Sequence, residues 1–201
     1  MAHHELSTPV TEAMVRALRV DDSVTLDGRL FGIRDATQIA MFDRGRATRL
    51  DLSGSAVIHT APNVRAVPPS AEHPAGYAPV CIGTTTSMRM ERFTKPLMEQ
   101  YGVRLIIGKG GMAKGTLDAF AAMGGAYLAI TGGTAALETT WIEAIEDVDM
   151  DDLNPESLWK FRVRGFGPLL VAMDSTGGNL FSDVDSEARS RRADVLAGLL
   201  S

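Results

Sequence analysis

Three short apolar runs recur through the middle of the chain, at residues 79–83, 103–108 and 126–131. Each run ends in a turn rich in glycine or threonine, and a helical pattern follows each turn. The runs lie about 25 residues apart, which is the spacing of parallel β-α-β units. Right-handed crossovers would bring all three turns to one edge of a sheet, where such sheets bind ligands. The pattern therefore predicts an α/β fold with a parallel β-α-β core and Gly/Thr-rich loops at the C-terminal ends of its strands.

Weaker patterns predict the remaining elements. Helices are predicted over residues 11–20, 36–42 (capped by Asp35), 91–101, 116–123 and 135–140, and strands over residues 24–33, 56–60, 159–164 and 169–173. Asp27 and Gly28 are predicted to form one turn and residues 165–168 another. Residues 62–79 contain five prolines, so we expect a surface loop there.

The two ends of the chain are expected to lie at the periphery of a single domain spanning residues 1–201. Residues 1–10 lack a clear pattern and are predicted to be frayed. The tail from residue 183 is charged, and Leu196, Leu199 and Leu200 could form an apolar docking stripe on it.

Composition narrows the class of protein. A 45% hydrophobic and 22% charged chain is ordinary for a globular protein, and the net charge of −5 argues against a nucleic-acid partner. No apolar run approaches the ~20 residues of a membrane span, and no signal pattern opens the chain, so we expect a cytoplasmic protein. Cys81 is the only cysteine and is predicted to be a small buried hydrophobe. One thiolate cannot hold an iron–sulfur cluster, so any cluster must come from another chain.

Candidate chemistry lies at the ends of the predicted strands. Residues 84–87 carry four hydroxyls where one would cap a helix, and Arg89 follows in the first helical turn. Lys109 stands between glycines that permit close approach of a ligand. Together these residues predict an anion site. Arg34 and Arg89 remain equally compatible with ordinary surface arginines.

Two further features of the sequence bear on whether this chain binds a metal ion or a nucleotide, and neither favours such a site. His59 lies in an apolar run, where a hydrogen-bonded structural histidine is favoured over a metal ligand. Residues 108–113 satisfy a loosened dinucleotide-binding pattern. The following strand, however, lacks the acidic residue that would hold a ribose, so a nucleotide-binding module is the weakest hypothesis.

Several segments resemble the beta subunit, or C-terminal domain, of the iron–sulfur-dependent class I fumarase and L(+)-tartrate dehydratase family. The matching segments are residues 24–35, 56–62, 83–90 (similar to Gly-Pro-Thr-Thr-Ser-x-Arg-Met), 108–112 (Gly-Lys-Gly-Gly), 155–159 and 166–169. The last two are closer to tartrate dehydratase beta subunits than to full-length class I fumarases. Two positions depart from the family pattern, because Gln38 stands where histidine is frequent and Thr84 where proline is usual.

The resemblance implies a swivelling β/β/α domain that closes over an alpha subunit carrying a [4Fe–4S] cluster. It implies that Thr85 is the catalytic base, that Lys109 is catalytic and binds substrate, and that Arg34, Thr86 and Arg89 also bind substrate. The expected reaction is the reversible dehydration of a hydroxy-dicarboxylate, L(+)-tartrate or malate/fumarate, by a homodimer or an α2β2 assembly. The alternative is a non-catalytic anion-binding scaffold or regulatory subunit of the same fold.

Overall fold

The computed structural model describes residues 1–199. Within that range the strands are β1 His3–Ser7, β2 Ser23–Ile33, β3 Ala56–His59, β4 Asn63–Ala66, β5 Tyr77–Cys81, β6 Leu105–Gly108, β7 Ala126–Ala129, β8 Ile142–Asp149 and β9 Leu158–Met173. The α-helices are α1 Glu12–Arg16, α2 Asp35–Gln38, α3 Glu91–Tyr101, α4 Lys114–Met123, α5 Ala135–Thr140 and α6 Leu180–Leu199. A π-helical turn, Ile39–Asp43, follows α2, and a 3-10 turn, Ser87–Met90, precedes α3.

The main sheet closes on itself. Strands β2, β3, β6 and β7 are parallel neighbours in that order, and β9 pairs antiparallel with both β7 and β2. Strand β1 extends the sheet beside β2, and β8 extends it beside β9. The result is a barrel-like sheet with helices packed against it, so the predicted α/β fold with a parallel β-α-β core is confirmed.

Alternation along the short central strands divides the core in two. Successive side chains of a strand point to opposite faces, so a strand buried on both faces is apolar at every position. One cluster takes alternate positions of these strands: Ala56, Ile58, Leu105, Ile107, Ala126 and Leu128. The intervening residues, Val57, Ile106 and Tyr127, join the second cluster, which also includes Leu97 of α3 and Phe120 of α4.

Local chemistry determines where the helices begin and end. The hydroxyl of Thr11 accepts a hydrogen bond from the backbone N–H of Met14 and so caps α1. Helices α3 and α4 end at Gly102 and Gly124, whose φ angles of 66° and 72° are left-handed and favour glycine. The predicted helices over residues 91–101 and 135–140 agree with α3 and α5.

The prediction that residues 79–83 form a core strand is wrong. Strand β5 instead pairs antiparallel with β4 in a separate two-stranded sheet, whose strands take up the two ends of the predicted loop, while residues 67–76 between them contain no helix or strand. The place beside β6 belongs to β3, whose four residues are all buried, whereas Val80 is half exposed. Cys81 is consequently exposed, which corrects its prediction as a buried hydrophobe.

Four further predictions are corrected. Residues 1–10 are not frayed, because β1 pairs with β2 along its whole length. Asp27 and Gly28 remain within β2, where register shifts and the φ of 96° at Gly28 mark a bulge rather than a turn. Residues 165–168 continue β9 without reversing the chain. Asp35 is the first residue of α2 and Arg34 occupies the N-cap position.

The C-terminal helix projects from the sheet. None of the residues of α6 is buried, and Leu196 and Leu199 are exposed, while Leu200 lies outside the described residues. A docking role for this stripe stays a prediction. No helix within residues 1–199 combines the length and apolar character needed to cross a membrane.

Candidate active site

The site lies where four parallel strands end. Strands β2, β3, β6 and β7 run side by side in one direction, so their C-terminal ends meet at one edge of the sheet. Arg34 follows β2, Thr60 follows β3, and Lys109 follows β6. The turn at residues 131–134 comes just after β7. The predicted gathering of loops at one edge is therefore present.

The segment at residues 84–87 lies between the ends of β3 and β6. The backbone N–H of Thr85 donates to the carbonyl of His59 at 2.8 Å, and that of Ser87 donates to the carbonyl of Lys109 at 3.0 Å. Thr86 forms a parallel bridge with Lys109. These backbone contacts bring Thr85, Thr86 and Lys109 together. The side chain of Thr85 is half-buried and makes no hydrogen bond within residues 1–199.

A neutral, buried hydrogen-bond network forms the floor beneath this segment. Ser87 Oγ lies 2.9 Å from Nδ1 of His59 and accepts a hydrogen bond from the hydroxyl of Tyr127 at 3.0 Å. Burial lowers the pKa of His59 to about 3 and raises the pKa of Tyr127 to about 12. A Cβ at Gly108 would lie 1.9 Å from Ser87 Oγ, so the network requires glycine there. The interpretation of His59 as a hydrogen-bonded structural histidine agrees with this arrangement.

Two arginines share one carboxylate beside the floor. Arg89 Nη2 lies 2.5 Å from Oδ2 of Asp35, and Arg34 Nε lies 3.4 Å from the same oxygen. Arg34 Nε is also 3.5 Å from Oε1 of Glu156. The other oxygen of Glu156 accepts the backbone N–H of Ala36 at 2.8 Å, in the first turn of α2. The two predicted substrate-binding arginines therefore already have counter-charges, and an incoming carboxylate would compete for them.

Lys109 differs from the arginines in making no ion pair with a contacting carboxylate within residues 1–199. Its ammonium makes no hydrogen bond or ion pair to any of residues 1–199. The side chain runs along the 131–134 turn, where a Cβ at Gly132 would lie 3.1 Å from Lys109 Cδ and 3.6 Å from Nζ. An available ammonium beside threonine hydroxyls has the hydrogen-bonding chemistry that a carboxylate ligand needs.

Both departures from the family pattern place side-chain polar atoms out of contact with solvent. Gln38 is fully buried, and neither atom of its amide has a hydrogen-bond partner in the described chain. Thr84 forms an antiparallel bridge with Thr60, and its hydroxyl also lacks a described partner. Nothing in the structure explains why glutamine occupies position 38.

The residues of this chain do not fit a metal cluster. Cys81 lies on β5, outside the main sheet, and residues 1–199 contain no group of three His, Cys, Asp or Glu side chains able to hold a metal ion. The chemistry at the strand ends is that of cations and hydroxyls.

Comparison with known proteins identifies the family. The model of the Fumarase C-terminus family matches residues 1–184. The chain belongs to this family. An L(+)-tartrate dehydratase subunit beta from Shigella sonnei is 36% identical over 192 residues, which cover 95% of this chain and 92% of that subunit. The Escherichia coli K12 subunit of the same name is 35% identical with the same coverage.

Members of the Fumarase C-terminus family also occur within longer chains. A protein from Geobacillus stearothermophilus with the provisional name fumarate hydratase class I is 34% identical over 184 residues. Those residues cover 91% of this chain but only 34% of the longer protein. Both names denote hydro-lyases, and in the longer relative the matched region is one part of a larger polypeptide.

Three carboxylates of this family member's site escaped sequence analysis. Asp35 was expected only to cap a helix, and Glu156 lay in a matching motif without an assigned role. Their acid–arginine pairing joins residues far apart in sequence, so no local pattern reveals it. Glu138 lies in a predicted helix, and no sequence pattern marks it, because its burial depends on how α5 packs.

Proposed function

We propose that this chain is the beta subunit of a hydro-lyase that reversibly dehydrates a hydroxy-dicarboxylate. The substrate is L(+)-tartrate, converted to oxaloacetate, with malate/fumarate as the second candidate. The main support is the unpaired ammonium of Lys109, held beside Thr85 and Thr86 by backbone contacts. The names and coverage of the tartrate dehydratase relatives favour tartrate.

In this proposal Lys109 and the two arginines hold the substrate carboxylates. Arg89, half exposed, exchanges its contact with Asp35 for a substrate carboxylate, and Arg34 binds a carboxylate from the neighbouring strand end. Thr86, exposed on the same segment, donates a hydrogen bond. Cations at fixed positions stabilise the negative charge that develops next to the carboxylate when a proton leaves carbon.

Thr85 is proposed to remove that proton from carbon. A threonine hydroxyl is a weak base, so it needs adjacent positive charge to favour its alkoxide. Lys109 is fixed next to it by the contacts of residues 86 and 87. The neutral floor of His59, Ser87 and Tyr127 adds no competing charge.

The departing hydroxyl requires a group that this chain does not contain. Because its own residues do not fit a cluster, a [4Fe–4S] cluster is proposed on an alpha subunit, and no step assigned to this chain passes through it. We further propose that residues 1–201 act as one domain in the cytoplasm, within a homodimer or an α2β2 assembly. Light scattering of the co-purified complex measures that stoichiometry.

The test is anaerobic co-expression with an alpha-type chain, cluster reconstitution and ultraviolet assays on tartrate, malate and fumarate. Thr85→Ala should lower kcat by about 10²–10⁴-fold, the range for loss of a general base. Lys109→Ala should lower kcat/KM by about 10²-fold. The matched controls are Thr25→Ala on β2 and Lys114→Ala on α4, which should leave kcat unchanged.

The outcomes separate the two candidate functions. A cluster-loaded complex that is inert on all three substrates would refute the proposed reaction. It would favour the non-catalytic scaffold, for which the sharing of Asp35 by both arginines is the specific support. Full turnover in Thr85→Ala would retain the hydro-lyase but remove Thr85 as its base.

A further inference from the structure

Glu138 is a buried carboxylate with one unused oxygen. It lies on α5, only 1% exposed, just behind the turn at residues 131–134. Its Oε1 accepts a hydrogen bond from the hydroxyl of Thr134 at 2.8 Å. Its Oε2 is buried and has no hydrogen-bond partner within residues 1–199. A buried carboxylate oxygen without a donor costs free energy, so a donor that can reach it would be held there.

Lys109 approaches Glu138 across the same turn. The lysine stem passes over Gly132, and Thr134, which bonds Glu138, is two residues further along. The hydroxyl of Thr134 also lies 2.5 Å from the carbonyl of Thr131, so its single proton is shared between that carbonyl and Glu138, and Thr134 lies in the turn between the two side chains. Burial raises the pKa of Glu138, and the Thr134 hydrogen bond and the positive charge of Lys109 oppose that rise. Each group thus lacks what the other supplies: an acceptor for the ammonium and a donor for the carboxylate.

We infer that Glu138 positions the ammonium of Lys109, with Oε2 as the acceptor that anchors Lys109 over the 131–134 turn beside the substrate carboxylate. Glu138 does not touch the substrate and acts only through Lys109. The inference rests on the proposed function in so far as it takes Lys109 as a substrate-binding residue. The pairing itself belongs to this chain alone and needs no partner subunit.

The first test measures the reactivity of Lys109 in the full chain. Acetic anhydride acylates only the uncharged amine, and mass spectrometry measures the acetylation rate of each of the four lysines separately. A lysine anchored on a carboxylate is held in the turn and away from the reagent, so Glu138→Gln should raise the acetylation rate of Lys109 by about threefold or more. Lys95, Lys114 and Lys160 should react as before. Glu5→Gln, on the edge strand β1, is the matched control and should change nothing. An unchanged rate at Lys109 in Glu138→Gln would overturn the inference.

A second variant disturbs the pair without touching either charge. The φ of Gly132 is not left-handed, so alanine is compatible with the backbone there. Its Cβ would press on Cδ of Lys109 at 3.1 Å and displace the lysine from Glu138. Gly132→Ala should therefore raise the acetylation rate of Lys109 as Glu138→Gln does, and the double variant should react no faster than either. Gly132→Ala also tests whether Glu138 anchors Lys109 if the Glu138→Gln variant does not fold.

Turnover of the cluster-loaded complex distinguishes positioning from a purely structural role. Glu138→Gln should raise KM for the dicarboxylate about fivefold with a smaller change in kcat, because substrate binding loses an oriented cation. In a Lys109→Ala background, Glu138→Gln should have no further effect. An equal loss in both backgrounds would overturn the inference. If the wild-type complex is inert, the proposed function fails, whereas the acetylation result still decides the pairing.

Discussion

At the scale of single residues, the neutral floor of the site makes stability depend on pH. Burial lowers the pKa of His59 from 6.5 to about 3, so below pH 6.5 the unfolded chain binds a proton that the folded chain does not. The contribution of neutral His59 to the unfolding free energy is therefore fully present above pH 6.5. It decreases as pH falls from 6.5 towards 3. The contribution is at most about 1.4 kcal/mol per pH unit, the value for one proton. Urea unfolding at about pH 7.5, 6.5, 6.0 and 5.5, compared between the wild type and His59→Gln, measures it.

The control for this prediction is His3→Gln, on the exposed edge strand β1. It should retain the pH slope of the wild type, whereas His59→Gln should have a smaller slope. Equal slopes in the wild type and His59→Gln would mean that His59 takes up its proton in the folded state.

The same floor predicts a steric effect at Gly108. A Cβ there would lie 1.9 Å from Ser87 Oγ, and Ser87 is held between His59 and Tyr127. Gly108→Ala should therefore destabilise the protein by about 1–3 kcal/mol, the usual cost of overpacking a buried site. Urea denaturation checks it against Gly198→Ala on α6, where no atom lies within 4 Å of the added Cβ. Equal unfolding free energies for Gly108→Ala and Gly198→Ala would contradict the close packing between Gly108 and Ser87.

Individual site residues were predictable where their chemistry is local. The hydroxyls of residues 84–86 and the glycines around Lys109 stand out in the sequence because each belongs to one short segment. Asp35 and Glu156 could not be assigned, because their roles arise only when α2 and the segment before β9 come together. For the same reason, sequence alone does not reveal that Arg34 and Arg89 share one carboxylate.

At the scale of elements, Glu91 joins two helices and supports the loop of Lys109. It lies in the first turn of α3, and its carboxylate accepts the backbone N–H groups of Ala113 and Thr116, both at 2.8 Å. It also accepts the hydroxyl of Thr116 at 2.7 Å. A carboxylate at the N-terminal ends of both α3 and α4 is favoured by both helix dipoles. Glu91→Gln should therefore cost about 1–3 kcal/mol of unfolding free energy.

The matched control for that prediction lies on the same helix. Glu99 pairs with Lys95 on the exposed surface of α3, so Glu99→Gln should cost less than about 0.5 kcal/mol. Urea denaturation of both variants provides the comparison. If both variants cost the same, Glu91 does not join the helices energetically.

The type of each element could be predicted wherever the periodicity of its apolar residues was clear. The pairing of strands could not be predicted in this way. The helical spacing of residues 91–101 is a local property, and α3 has those bounds. Residues 79–83 have the same apolar character as a core strand but pair with β4, because β3 occupies the position beside β6. The register of β9 with β2 likewise depends on residues more than a hundred positions apart, which no local window includes.

At the scale of the whole molecule, α6 is attached mainly at its first turn. Phe181 packs edge-on against Tyr127, with ring centroids 6.2 Å apart, and lies where a Cβ of Gly111 would be. The rest of α6 has no buried residue. Ending the chain after residue 184, where the family match also ends, should change unfolding free energy by less than about 0.5 kcal/mol. Phe181→Ala in the full chain should cost about 1–2 kcal/mol.

Thermal and urea unfolding of the two proteins side by side check this contrast. A truncation that costs as much as Phe181→Ala would show that the exposed length of α6 holds its first turn in place.

The closed sheet delays the completion of the fold while the chain is being synthesised. Strand β2 emerges early, but its antiparallel partner β9 is complete only at Met173. Until then, part of β2 and one side of β7 present unpaired backbone groups, which are templates for pairing with other chains. A ribosome-bound chain therefore cannot complete its sheet until Met173 has left the exit tunnel, and its need for a chaperone should be greatest just before β9 emerges.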